Sequence, residues 1–446
     1  MRIPPQNQKT NYAKSIQVRP MNTPLHQHAL AAASLAMLAF TTAAQATSFE
    51  WTSSSGNDWA VGSNWGGGVA PPTNGTFAHR VNARGTATLN YTSAQGNTAY
   101  TGGRGLVIYD GSSVAIQGGS FTGLGDIISA TQTAGATATL TVAGGTYNAN
   151  LLHIGWYNST GIFTISSGQS AIDALHINSA DAAPHLNTGH GTLNLNGGTL
   201  SVNNIVANHN TGSSTVNLNG GILRAQQNNA TFITSGLTNL RVGDGGAKID
   251  TNGFNVTIAK AMTPAVASTG GLTVEGAGAL TLSGNSTYTG ATLVSAGTLL
   301  VTGALGNTAV TVQANGTIGG SGTLGGTIVF EAGGKLDLTG ATIGLNSSDI
   351  LTVAANQSMT FNDFKFTDIV GWDWLNADVG TYTLIDGGGT VTLSGSTPTI
   401  LNPQALGNGK QGYFKEGSFQ AVIIPEPATA LLGSLGMLVL LRRRRA

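Results

Sequence analysis

The sequence predicts an all-β protein wound as a parallel β-helix, with irregular β caps at its ends, and three observations carry that expectation. Glycine supplies 65 of 446 residues and only 9% of the chain is charged, which is a composition of strands and tight turns. Short segments alternate apolar with small polar residues, the two-residue period of a half-buried strand. These segments also repeat: "TLTVAGGTY" (139–147), "IFTISSGQS" (162–170), "TLNLNGGTL" (192–200) and "TVNLNGGIL" (215–223) stand 23, 30 and 23 residues apart, and "SVAIQGGSF" (113–121) stands 26 before the first. A hydrophobic share of 40% is enough to build a core.

Residues 1–46 read as a signal peptide with a short apolar helix. Arg2, Lys9, Lys14 and Arg19 precede the apolar run Ala29–Phe40, which is followed by Ala44-Gln45-Ala46. A charged region, a short apolar region and small residues at the cleavage position describe a substrate of the secretion translocon, cut after Ala46. Twelve apolar residues are too few to span the roughly 30 Å of a bilayer's hydrocarbon.

Residues 47–105 are expected to form an N-terminal cap and the first coil. Trp51, Trp59 and Trp65, with Pro71-Pro72, sit where the open end of a solenoid needs covering. This opening segment resembles the start of many secreted bacterial β-helix proteins; a sugar-stacking platform is the alternative use of the three rings.

The β-helix repeats occupy 106–340. A second short strand lies between the copies: "LLHIG" (151–155), "ALHIN" (174–178) and "NNIVAN" (203–208). Two or three strands per 23 residues, with glycine corners and no helix, make one coil whose inward Leu, Ile and Val are buried only by stacking. An antiparallel sandwich is the competing arrangement, but the constant offset and like-on-like alignment favour the solenoid. Within this region, 280–338 resembles the passenger-associated transport repeat of autotransporter adhesins through Tyr288-Thr289-Gly290, "SAGTL" (295–299) and "GGSGTLGG" (319–326). That resemblance implies a right-handed β-helix. No outer-membrane barrel segment follows, so self-transport is not implied. Periodicity fades from 341 to 424, the expected C-terminal β-rich cap.

Residues 425–446 form a distinct tail. Pro425, Glu426 and Pro427 precede fourteen residues without a formal charge, Ala428–Leu441, and then Arg442, Arg443, Arg444 and Arg445. A helix of that length covers roughly 21 Å, short of the hydrocarbon core unless arginine stems snorkel and the bilayer thins. Proline can begin such a helix but not continue it, and the arginines hold its far end in the cytoplasm. The order of triplet, short transmembrane helix and arginine cluster resembles the PEP-CTERM sorting signal. It implies recognition by an exosortase, a membrane-bound cysteine transpeptidase-like enzyme, with cleavage near Pro425 to Pro427, in a protein of the bacterial surface near exopolysaccharide.

Charge and residue chemistry narrow the function classes. The basic residues are concentrated at the two ends, leaving 11 basic against 18 acidic residues between 47 and 424, so a nucleic-acid stripe is not expected. With no cysteine there are no disulfides and no thiolate sites. Paired carboxylates on adjacent coils could cleave a polysaccharide or bind calcium, yet Asp173, Asp181, Asp244 and Asp250 do not recur at the 23-residue offset. His153 and His176 do recur, followed by His185, His190 and His209; they are expected to continue a surface row rather than bind metal, because no carboxylate orients them. "GSGTLG" (320–325) fits a dinucleotide fingerprint only by letter, and one copy of "RVGDGGAKID" (241–250) does not make a calcium roll. Sequons at Asn158 and Asn285 are expected from an Asn/Thr-rich composition. The sequence therefore predicts no catalytic, cofactor or metal site. It predicts a secreted structural or binding protein of the cell surface or matrix, with a polysaccharide-degrading enzyme or an adhesin as alternatives.

Overall fold

The computed structural model describes residues 47–426 except 78, 86, 101–104, 129–136, 157–158, 180–187, 209–210, 342–348 and 416–418. The predicted signal peptide with Ala44 and Ala46, and the predicted tail from Pro427 through Arg442, Arg443, Arg444 and Arg445, lie outside the described residues.

The alternating segments become strands that pair in parallel with their counterparts one coil away, giving a β-helix-like stack. A first row runs from Thr47–Trp51 through His79–Ala83 and Leu106–Ile108 to Lys335–Asp337 and Ile369–Val370. A second includes Leu89–Tyr91, Ser113–Ile116, His190–Leu195, Ser213–Leu218 and Asn239–Val242. A third runs from Gly75–Phe77 through Asn97–Tyr100 to Ile328–Phe330, Met359–Asn362 and Val391–Ser394. Each coil visits the second, third and first rows in turn. The long strands Thr137–Ile154 and Thr160–Ser179 bend through all three. These rows join as one 28-stranded sheet. A five-stranded parallel sheet beginning at Asn285–Ser286 carries the second row onward, tied to it by Thr287 N donating to Met262 O at 2.8 Å.

Register explains the core. Leu89, Val114, Leu140, Phe163, Leu193, Val216 and Leu240 are successive partners in the second row, and all are buried. Because side chains alternate across a strand, an in-register partner keeps every inward residue over another inward residue. Each such Leu, Val or Phe contributes about 1.5–3 kcal/mol on burial. Corners are made by glycine: Gly198 has φ +62°, and a Cβ there would stand 2.4 Å from Gly168 O of the coil below. Both the backbone angle and the close approach require glycine.

Aromatic rings fill the two ends. Trp51 and Trp59 each meet Trp65 edge-on, at 5.2 and 5.0 Å, and Trp59 meets Tyr91 at 5.2 Å. The three indoles donate to Ala87 O, Pro71 O and Trp59 O. All three rings are buried, so they cover the first coil and present no sugar-stacking surface. At the other end, Gly380–Thr383, Gln420–Pro425, Lys410–Lys415 and Gln404–Gly407 form a four-stranded antiparallel sheet in that order. Its Phe419 stacks on Phe361 at 3.7 Å, and Phe361 stacks on Phe330 at 4.9 Å. Parallel pairing continues beyond 340, from Phe330 to Phe361 to Leu393. The coil thus extends into the stretch where periodicity fades, because longer connections separate its last strands.

Burial also fixes several phenols. Desolvation holds the Tyr100, Tyr147 and Tyr288 hydroxyls well above their ordinary pKa, with the Asp126 carboxylate adding to the effect at Tyr147. In the unfolded chain these groups ionise near pH 10. The stability that comes from keeping them neutral is therefore complete below about pH 10 and is lost as pH rises above it. A phenolate absorbance titration should show part of the nine tyrosines ionising only together with loss of the β-sheet circular dichroism. Simple titration of all of them with the sheet signal intact would contradict the packing described.

Candidate functional site

The outer surface of the second row is the most regular chemical feature of the coil. Thr139 Oγ1 donates to Ser113 Oγ at 2.7 Å. Asn194 Nδ2 donates to Thr164 Oγ1 at 3.3 Å, and Asn217 Nδ2 to Asn194 Oδ1 at 2.8 Å. Asn239 Nδ2 donates to Thr215 Oγ1 at 3.2 Å, and His190 Nδ1 lies 2.8 Å from Ser213 Oγ. The same register that stacks Leu on Leu inside stacks amide on hydroxyl outside. These side chains are held in place by one another and present a fixed array of donors and acceptors.

The carboxylates do not assemble as a catalytic pair on this row. Asp173 and Asp244 are exposed, and Asp244 Oδ1 accepts from Thr269 N at 3.0 Å. Asp181, with His185, His209 and the sequon residue Asn158, lies outside the described residues. Asp250 accepts from Arg224 Nε at 2.7 Å, and Glu275 is its register partner on the next coil. Sequence reasoning missed Glu275 because it looked for a 23-residue offset, whereas this coil is 25 residues long. Asp363 and Asp373 are held below the usual carboxylate range by hydrogen bonds from Ser396 and Asn376, as turn caps.

Two buried groups were also missed or misplaced. Asp126 is inside the coil, accepting from Leu106 N at 2.8 Å and from Tyr147 Oη at 2.6 Å. His153 and His176 are register partners with ring centroids 5.0 Å apart, as their spacing predicts. The expected surface row is corrected, however: His153 is 2% exposed and packs beside Trp156. The cause is a corner at which Leu152, His153 and Ile154 are buried in succession, breaking strict alternation. Among the described residues, no three of His, Asp and Glu come together as a metal cluster.

The segment at 280–338 has a physical basis for its motifs. Tyr288 is buried with Oη 2.7 Å from Thr292 Oγ1; Thr292 Oγ1 is 3.1 Å from Thr308 Oγ1, which donates to Gly290 O at 2.6 Å. Ser295 Oγ donates to Val274 O at 2.9 Å. Gly297 turns the corner at φ +69°. Coils here shorten to about the 18-residue separation of Thr308 and Gly290. Gly320, in the "GSGTLG" string, makes a turn at φ +106° and leads to no helix.

The chain leaves the described structure at the antiparallel cap. Pro425 is the last strand residue and pairs with Lys410, and Glu426 N donates to Gly409 O at 2.7 Å; both are exposed. A cavity of about 460 Å³ on the same cap is lined by Leu393, Ile400, Leu401, Tyr413 and Lys415 among others, with no carboxylate. Among the described residues no helix is long and apolar enough to cross a membrane.

Residues 272–301 match the family model described as the passenger-associated-transport-repeat. The match contains Tyr288-Thr289-Gly290 and Ser295–Leu299, and suggests a passenger-type protein that is exported to the surface or secreted. No curated protein and no solved structure gives a significant match to the chain.

Gly297→Ala should destabilise the protein by about 1–3 kcal/mol, since a Cβ would be strained at positive φ and would lie 2.3 Å from Gly276 O. Denaturant unfolding monitored by circular dichroism checks this; an unchanged midpoint would show that the corner tolerates a side chain.

Proposed function

We propose that this protein is a non-enzymatic, exported display and matrix protein, a right-handed β-solenoid sorted through its C-terminal tail and associating with exopolysaccharide. The observation that carries the reading is the outer ladder Thr164, Asn194 and Asn217, continued by Thr215 and Asn239, whose spacing of about 4.8 Å repeats along the coil. A rigid row of hydroxyl and amide groups makes many weak contacts to polymer hydroxyls, and their number supplies avidity without a deep pocket. Right-handed winding accords with the preferred hand of parallel crossovers. The signal peptide ending at Ala46 would take the chain through the secretion translocon. Pro425, Glu426 and Pro427 would be read by an exosortase-type enzyme while Ala428–Leu441, pinned by Arg442, Arg443, Arg444 and Arg445, holds the precursor in the membrane.

Replacing Pro425, Glu426 and Pro427 by alanine should leave the precursor at full size in the membrane of a host carrying the processing enzyme. Unchanged maturation would reject the sorting assignment. In the processed protein, Asn194→Ala with Asn217→Ala should lower co-sedimentation with the host exopolysaccharide several-fold. A loss of polymer viscosity with purified protein would instead favour an enzyme on the same scaffold.

A further inference from the structure

The antiparallel cap has an unfinished surface at the point where the chain leaves it. Asn408 Nδ2 donates to Leu375 O at 3.3 Å and Lys410 Nζ to Ala377 O at 2.6 Å, so the segment from Leu375 to Val379 lies along the strand end that pairs with Pro425. Leu375 is 45% and Val379 55% exposed. Beneath them Trp372, Trp374 and Tyr382 form a triangle with centroids 6.0, 5.9 and 6.2 Å apart. The indole N–H groups of Trp372 and Trp374 are covered yet find no acceptor in the protein. Buried indoles ordinarily find one, as the three at the other end of the coil do.

We infer that this face of the cap, centred on Leu375 and Val379 over Trp372, Trp374 and Tyr382, rests in the headgroup layer of the membrane that holds the tail. The inference rests on the reading of Ala428–Leu441 as an anchor. Only Pro427 separates Glu426 from that segment, so the face lies within about 7 Å of its start. Fourteen helical residues reach roughly 21 Å against some 30 Å of hydrocarbon. Such a short anchor draws the attached cap down toward the interface. Tryptophan and tyrosine are the side chains suited to that depth, having an apolar body and a polar edge that headgroup oxygens can satisfy. Asp373, Asp378 and Glu426 also border the face, with Lys410 the nearby cation. This acidic balance suits a zwitterionic rather than an anionic lipid surface.

The test uses the unprocessed chain from Thr47 to Ala446 reconstituted in phosphatidylcholine vesicles, with bromine on the acyl chains close to the headgroups. Resistance to carbonate extraction reports tail insertion, and tryptophan emission reports the cap. Shallow bromine should quench emission by up to about a third, the share of two tryptophans among six. Quenching should disappear in W372F/W374F and fall at least two-fold in L375D/V379D, which keeps both indoles. An inserted tail with no quenching would overturn the proposed face and leave the anchor reading standing. Release of the wild-type protein by carbonate would overturn both.

Discussion

In-register stacking of parallel coils is the constraint on which the structure depends. Each coil exposes an apolar inner layer and a row of unpaired backbone groups until the next coil covers both. Leu140, Phe163, Leu193 and Val216 satisfy this on the inside, and Thr164, Asn194 and Asn217 follow the same register outside. Packing energy and surface chemistry are therefore not independent. A slip of one residue would turn the polar row inward and the apolar row outward. With no disulfide available, this repeated pairing carries the stability that cross-links supply in many exported proteins.

Stacking leaves two open ends, and the chain treats them alike. Trp51, Trp59 and Trp65 cover the first coil, while Phe361, Phe364, Phe414 and Phe419 cover the last. Large rings suit this position because they fill the widening gap where no further coil exists to interdigitate. The distal plug is built from the strand that ends at Pro425, so the segment that closes the solenoid also delivers the tail. The arrangement gives a stiff body whose polar flank points away from its core and whose one end is tied to whatever the tail enters.

Much of this was legible in the sequence, for reasons that particular residues make clear. The offsets between "TLTVAGGTY", "IFTISSGQS" and "TLNLNGGTL" are the coil lengths themselves, and glycine at the corners marks where each strand turns. The second strands at Leu151–Gly155 and Ala174–Asn178 were visible because their apolar alternation is strict for several residues. Where alternation breaks, reading failed: the corner that buries His153 between Leu152 and Ile154 looks like a surface position in one dimension. Coils of unequal length concealed the alignment of Asp250 with Glu275. Asp126 was invisible because its partners, Leu106 N and Tyr147, meet it only across neighbouring coils. The coil's extension from Phe330 to Phe361 was hidden by a connection much longer than 23 residues. The sorting triplet was legible as a motif, but that Pro425 is locked in a strand could be known only once its partner Lys410 was placed.

The central claim is that successive coils lie one above another in parallel register. Because the chain has no cysteine, pairs of nitroxide labels can be placed cleanly on the outer row at Thr141 with Asn217, Thr141 with Arg241, and Thr141 with Thr263. These pairs stand three, four and five strands apart through continuous register. Dipolar spectroscopy should give backbone separations of about 14, 19 and 24 Å, rising by one strand spacing per coil. Separations that fail to increase in that order would contradict the stacked coil directly.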